Sequence, residues 1–82
     1  MRELEALAKR EAQTWDEVDA LIQRTQAKAY DEAVRLLLKL RELAGYQGQE
    51  ATFQQRLNRI CEQYHRRSAL LRRLQKAGLY QT

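Results

Sequence analysis

The sequence predicts an all-α fold, a small antiparallel bundle of three to four helices around a central helical hairpin. Three observations carry this expectation. The 82 residues contain no proline, so no segment is barred from continuing a helix. The three glycines, Gly45, Gly48 and Gly78, fall where the apolar periodicity stops, as helix-ending glycines do. Apolar residues recur at i, i+3, i+4 and i+7 through most of the chain, which is the period of a helix with one buried face. Length allows a single domain over residues 1–82, with a small core and modest stability.

Leu4, Leu7, Ala8 and Ala12 start the helical spacing, with charged residues between them. Thr14-Trp15-Asp16-Glu17 then reads as a capping box, in which Thr14 accepts from the Glu17 amide and Glu17 reaches back. Either one helix runs through Thr14 or a break there starts a second; a break is expected. Trp15, Val18, Leu21 and Ile22 supply the apolar face that follows. Arg24 to Ala29 is polar and small, and serves as a short connection.

Tyr30 to Ala44 is the most regular helix. Tyr30, Ala33, Val34, Leu37, Leu40 and Ala44 form its buried face, widened by Leu36, Leu38 and Leu43. Asp31 and Glu32 at its start and Arg41 near its end match the helix dipole. Gly45 is the expected stop, with Tyr46-Gln47-Gly48-Gln49 as the turn. Phe53, Leu57, Ile60 and Tyr64 follow at spacings of 4, 3 and 4, a narrow seam suited to the wide face of the preceding helix. A turn this short sets the two antiparallel. Ser68 is the expected cap of a last helix bearing Leu70, Leu71 and Leu74, unless the two C-terminal helices are one bent helix. Lys76-Ala77-Gly78-Leu79 has the pattern of a Schellman motif, with Leu79 folding back. The expected core is Trp15, Ile22, Val34, Leu37, Leu57, Ile60 and Leu71.

Charge is unevenly distributed. Residues 51 to 82 carry seven basic side chains against one acid, whereas residues 1 to 50 carry eight against ten. Arg56, Arg59, Gln63 and Arg66 would form one polar stripe if helical throughout. Such a stripe spans roughly 15 Å, enough to straddle several phosphates of one strand. Arg67, Arg72 and Arg73 add to the basic surface. No helix-turn-helix spacing, basic zipper or interleaved aromatic platform accompanies them. The stripe therefore reads as a solvated face that partly pairs with the acidic N-terminal half, or as a contact for nucleic acid or for an acidic protein.

Catalytic chemistry has little footing. Cys61 and His65 stand at i, i+4, but a structural zinc site needs four ligands and the chain holds no further cysteine or histidine. A small buried cysteine beside the seam is the better reading, and no metal or cofactor is expected. The acidic pairs Asp16/Glu17/Asp19 and Asp31/Glu32 are placed in first helical turns, where the dipole accounts for them. Ser68 is better used as a cap than as a nucleophile. No enzymatic activity and no small-molecule substrate are expected. A lone cysteine excludes an intramolecular disulfide. No apolar run is long enough for a membrane span, and Met1-Arg2-Glu3-Leu4-Glu5 lacks the apolar stretch of a signal peptide. A cytoplasmic protein is expected.

One family resemblance covers most of the chain. Trp15-Asp16-Glu17-Val18-Asp19-Ala20-Leu21-Ile22, Ala29-Tyr30-Asp31-Glu32-Ala33-Val34 and Leu40-Arg41-Glu42-Leu43-Ala44 carry its first part. Phe53, Leu57 and the run Ala69-Leu70-Leu71-Arg72-Arg73-Leu74-Gln75-Lys76-Ala77-Gly78-Leu79 carry the rest. Together they resemble the helical C-terminal segment of bacterial SWIM-type zinc-finger proteins. The zinc element of that family needs three cysteines and a histidine, which this chain lacks. The resemblance implies an accessory helical module, and no functional residue transfers.

Two functional expectations follow. The first is a non-enzymatic interaction module that docks on a protein partner, another domain or a second copy of itself, through the surplus leucines Leu36, Leu38, Leu43 and Leu70. The second is nucleic-acid binding through Arg56, Arg59, Arg66, Arg67, Arg72 and Arg73.

Overall fold

The computed structural model describes residues 10–80. These form four helices: α1 (Glu11–Gln23), α2 (Ala27–Gln47), α3 (Glu50–Gln63) and α4 (Ser68–Lys76), with no strand among the described residues. The all-α bundle expected from the periodicity is the fold observed. The expected apolar positions Leu4, Leu7 and Ala8 lie outside the described residues.

Contacts between named side chains give the topology. The Trp15 and Phe53 rings pack tilted at 44° with centroids 5.7 Å apart, and Tyr64 hydrogen-bonds to Asp19, so α1 and α3 run in the same direction. The two short connections set α2 antiparallel to both. Arg67 and Arg73 meet Tyr30 and Asp31 near the start of α2, and α4 lies on α2 in its turn. The central helix therefore packs against all three others. That explains its breadth: Leu37, Leu40 and Leu43 are all buried on it, together with Tyr30 and Ala33.

Helix ends differ from the sequence expectation at four places. One is the start of α2, which begins at Ala27, inside the expected connection Arg24 to Ala29 and ahead of Tyr30. No break occurs at Thr14, because α1 has already begun at Glu11. The Thr14 hydroxyl donates back to the Arg10 carbonyl at 2.9 Å, which satisfies a buried polar side chain within the preceding turn. The expected capping box is therefore absent. Gly45 does not stop α2, which continues to Gln47. The stop is Gly48, at φ 68°, with the Gln49 amide on the Ala44 carbonyl at 2.8 Å and the Gly48 amide on that of Gly45 at 3.4 Å. These are the two bonds of a Schellman motif. Ser68 does not cap α4; it is the first helical residue, and Arg67 precedes it without a side-chain cap bond.

These shifts move the acidic residues too. Asp16, Glu17 and Asp19 lie beyond the first turn of α1, and Asp31 and Glu32 beyond that of α2. Arg41 likewise lies before the last turn of α2. Dipole stabilisation therefore explains none of them. At the far end, Gly78 takes φ 77° and the Leu79 amide bonds the Leu74 carbonyl at 2.8 Å. This is the terminal motif expected from Lys76-Ala77-Gly78-Leu79, with Leu79 buried.

Of the expected core, Trp15, Ile22, Leu37, Leu57 and Ile60 are buried. Val34 and Leu71 are half-buried and flank the core instead. They sit one position off the innermost stripes, beside Ala33 and Leu70. Cys61 is buried, and desolvation raises its thiol pKa.

Candidate functional site

The expected leucine surface divides. Leu43 and Leu70 are interior, at 1% and 0% exposure, so they form no contact patch. The wide buried face of α2 takes Leu43, and the inward stripe of α4 takes Leu70 with Leu74. Leu36 and Leu38 are half-buried at the margin of the core.

Leu36 belongs to an open groove of about 490 Å³ between α1 and α2. Its apolar part is Leu21 and Ala20 from α1 with Leu36 from α2; its charged part is Glu17, Arg24, Glu32 and Arg35. Glu17, Ala20, Leu21 and Arg24 fall on one face because they are spaced 3, 1 and 3. Arg24, Glu32 and Arg35 form no ion pair among the described residues, and Glu17 has only a 3.9 Å contact with Arg10, both side chains being largely exposed. Sequence reasoning placed Leu21 on the buried face of its helix and missed the groove. The signal available was that Leu21 stands one residue off the buried stripe Trp15, Val18 and Ile22.

The arginines also divide. Arg56 lies over the Trp15 ring at 5.7 Å from its centroid, Arg67 over Tyr64 at 5.6 Å, and Arg73 over Tyr30 at 6.0 Å. Each separation is within cation–π range. Arg67 further donates to the Tyr30 hydroxyl at 3.3 Å. Arg73 pairs with Asp31 at 2.8 Å and donates to the Ala69 carbonyl at 3.1 Å. Three of the six arginines are thus engaged with the bundle's own aromatic rings. Arg59, Arg66 and Arg72 are exposed and have no partner among the described residues.

The continuous stripe is not formed, because α3 ends at Gln63 and Arg66 lies in the turn beyond it. The same helix end separates Cys61 from His65. Cys61 is buried on α3, whereas His65 is exposed in the turn with Nδ1 2.9 Å from the Glu62 carbonyl. No group of three or more His, Cys, Asp or Glu side chains among the described residues is placed to hold a metal ion. A second open groove, of about 430 Å³, lies where Trp15 and Asp19 of α1 face Thr52, Gln55, Arg56, Arg59 and Ile60 of α3.

Asp19 is the acidic residue with the richest surroundings. It accepts from the Tyr64 hydroxyl at 2.5 Å and from Gln23 at 2.9 Å. Burial raises the Tyr64 pKa first, and the bond to Asp19 raises it further. This network joins α1 to the end of α3 with its charged acceptor and phenol satisfied, so it acts as a structural tie.

Among the described residues, no helix is long and apolar enough to cross a membrane. Compared with known proteins, the chain matches no family model, no curated protein and no solved structure.

Proposed function

We propose that this chain is a non-enzymatic helical interaction module that docks through the α1–α2 groove onto a protein partner, another domain or a second copy. The observation that carries this reading is the groove itself. Leu21 and Leu36 leave apolar surface uncovered between two helices, and the charges beside them lack good partners. An amphipathic helix lying in such a groove would cover the first and pair the second. The similarity to the helical tails of SWIM-type zinc-finger proteins points to the same accessory role. A cytoplasmic location fits the single, buried cysteine.

Nucleic-acid binding is the second reading, favoured by the free cations Arg59, Arg66 and Arg72. Its footing is narrower than the charge of the C-terminal third suggests, since Arg56, Arg67 and Arg73 already cover aromatic rings.

A photoreactive amino acid placed at position 35 in the groove, or at position 72 on the basic face, separates the two in living cells. The docking reading expects protein adducts from position 35 and none from position 72. Nuclease-sensitive adducts from position 72, with position 35 silent, would replace it by the second reading.

A further inference from the structure

The charges around the groove form a pattern that is complementary to itself. Glu17 on α1 and Arg24, the capping residue just after it, are seven residues apart, so about 10.5 Å along one face, with Ala20 and Leu21 between them. On α2, Glu32 and Arg35 repeat one acid and one base beside Leu36. A two-fold axis lying across the helices turns acid onto base: Glu17 of one copy meets Arg24 of the other, and the reverse. The same axis brings Glu32 towards Arg35, and sets Leu21 against Ala20 of the other copy, with the two Leu21 side chains adjacent across the axis. A heterologous partner would need a matching pattern of its own, whereas a second copy already has it.

We propose that the α1–α2 groove is an isologous dimer interface, its occupant a second copy of this chain with α1 packed antiparallel on α1. This rests on the reading of the groove as a docking surface and names its partner. The interface is small. α1 has 13 residues, so two helices side by side present roughly 20 Å by 20 Å, or about 400 Å² per copy. That lies at or below the lower end of specific interfaces, where association is weak and reversible. The charge pairs at its rim set register and orientation more than affinity.

Sedimentation equilibrium of the full chain, from about 10 μM to about 1 mM, reads the proposal directly. The wild type is expected to rise from 9.7 kDa towards twice that mass. Glu17→Arg puts like charges together at both ends of the interface, as does Arg24→Glu, so each variant should associate at least about tenfold more weakly. Mixed in equal amounts they should recover the dimer. The base introduced at position 17 of one variant then faces the acid introduced at position 24 of the other, and at the opposite end the unchanged Arg24 faces the unchanged Glu17. Both positions are exposed, and circular dichroism checks that each variant remains helical. A wild type monomeric throughout, variants that dimerise as well as wild type, or a mixture that stays monomeric would each overturn the proposal. A monomer in solution whose position-35 crosslink captures a different protein overturns self-pairing alone. No protein adduct from position 35, with a monomer in solution, overturns the docking reading as well.

Discussion

Three aromatic rings, those of Trp15, Tyr30 and Tyr64, lie beneath the guanidiniums of Arg56, Arg73 and Arg67. All three rings are buried, and each guanidinium lies within cation–π range of the ring beneath it. Tyr64 adds a polar function to this packing through its bond to Asp19. Burial and that bond raise the phenol above its ordinary value of 10.0. A raised folded value means that the folded state holds the proton more tightly than the unfolded chain does. The associated stability is present below pH 10 and is lost as pH climbs from 10 through the folded value. In a spectrophotometric titration near 295 nm, Tyr64 should ionise above pH 10, and Tyr64→Phe should remove that late step. The same variant should lose about 1 kcal/mol in urea unfolding at neutral pH. Leu37, fully buried on the central helix, sets the larger scale: Leu37→Ala should cost about 2–5 kcal/mol. A loss below about 1 kcal/mol would place the residue outside the core.

The ends of the elements are where sequence and structure part. The α3 seam was legible because Phe53, Leu57, Ile60 and Tyr64 keep one face through the whole helix, and all four are buried. Gly45 and Gly48 were not separable from spacing alone. Both follow the last apolar position of α2, and only the backbone dihedral distinguishes them. The end of α1 at Gln23 falls where the polar connection from Arg24 is expected, and Thr25 within that connection takes φ 55°, a conformation that a β-branched residue adopts rarely. The α1–α2 groove was illegible because it depends on how two helix faces meet, which no single period records. The glycines give a sharp test. An added Cβ at Gly45 meets nothing within 4 Å, and the residue is inside a helix, so Gly45→Ala should stabilise by about 0.5–1 kcal/mol. At Gly48 the positive φ of 68° makes alanine costly even in open space, by about 1–2 kcal/mol. Chemical denaturation of the two variants should move their midpoints in opposite directions; equal shifts would contradict the Schellman ending of α2.

At the scale of the molecule, the excess of basic residues over residues 51–82 was legible, and its division was not. Sequence places Arg56, Arg59 and Arg66 on one stripe; the bundle sends Arg56 over Trp15 and leaves Arg66 beyond the end of α3. Cations held over buried rings, or paired as Arg73 is with Asp31, must give up those contacts to meet a phosphate. The free set among the predicted six is then Arg59, Arg66 and Arg72. Counterion release converts that count into a measurable slope. Three phosphate contacts give a log–log dependence of affinity on salt of about −2.7 on duplex DNA, and about −2.1 on a single strand. Six would give about −5.4 on the duplex. Fluorescence anisotropy with a labelled oligonucleotide at several salt concentrations reads this directly. Weak binding with a slope no steeper than about −3, further flattened by Arg59→Ala and Arg66→Ala together, is the expected result. A slope near −5 would show that the arginines over Trp15, Tyr30 and Tyr64 leave their rings on binding, and would return nucleic acid to first place among the partners of this chain.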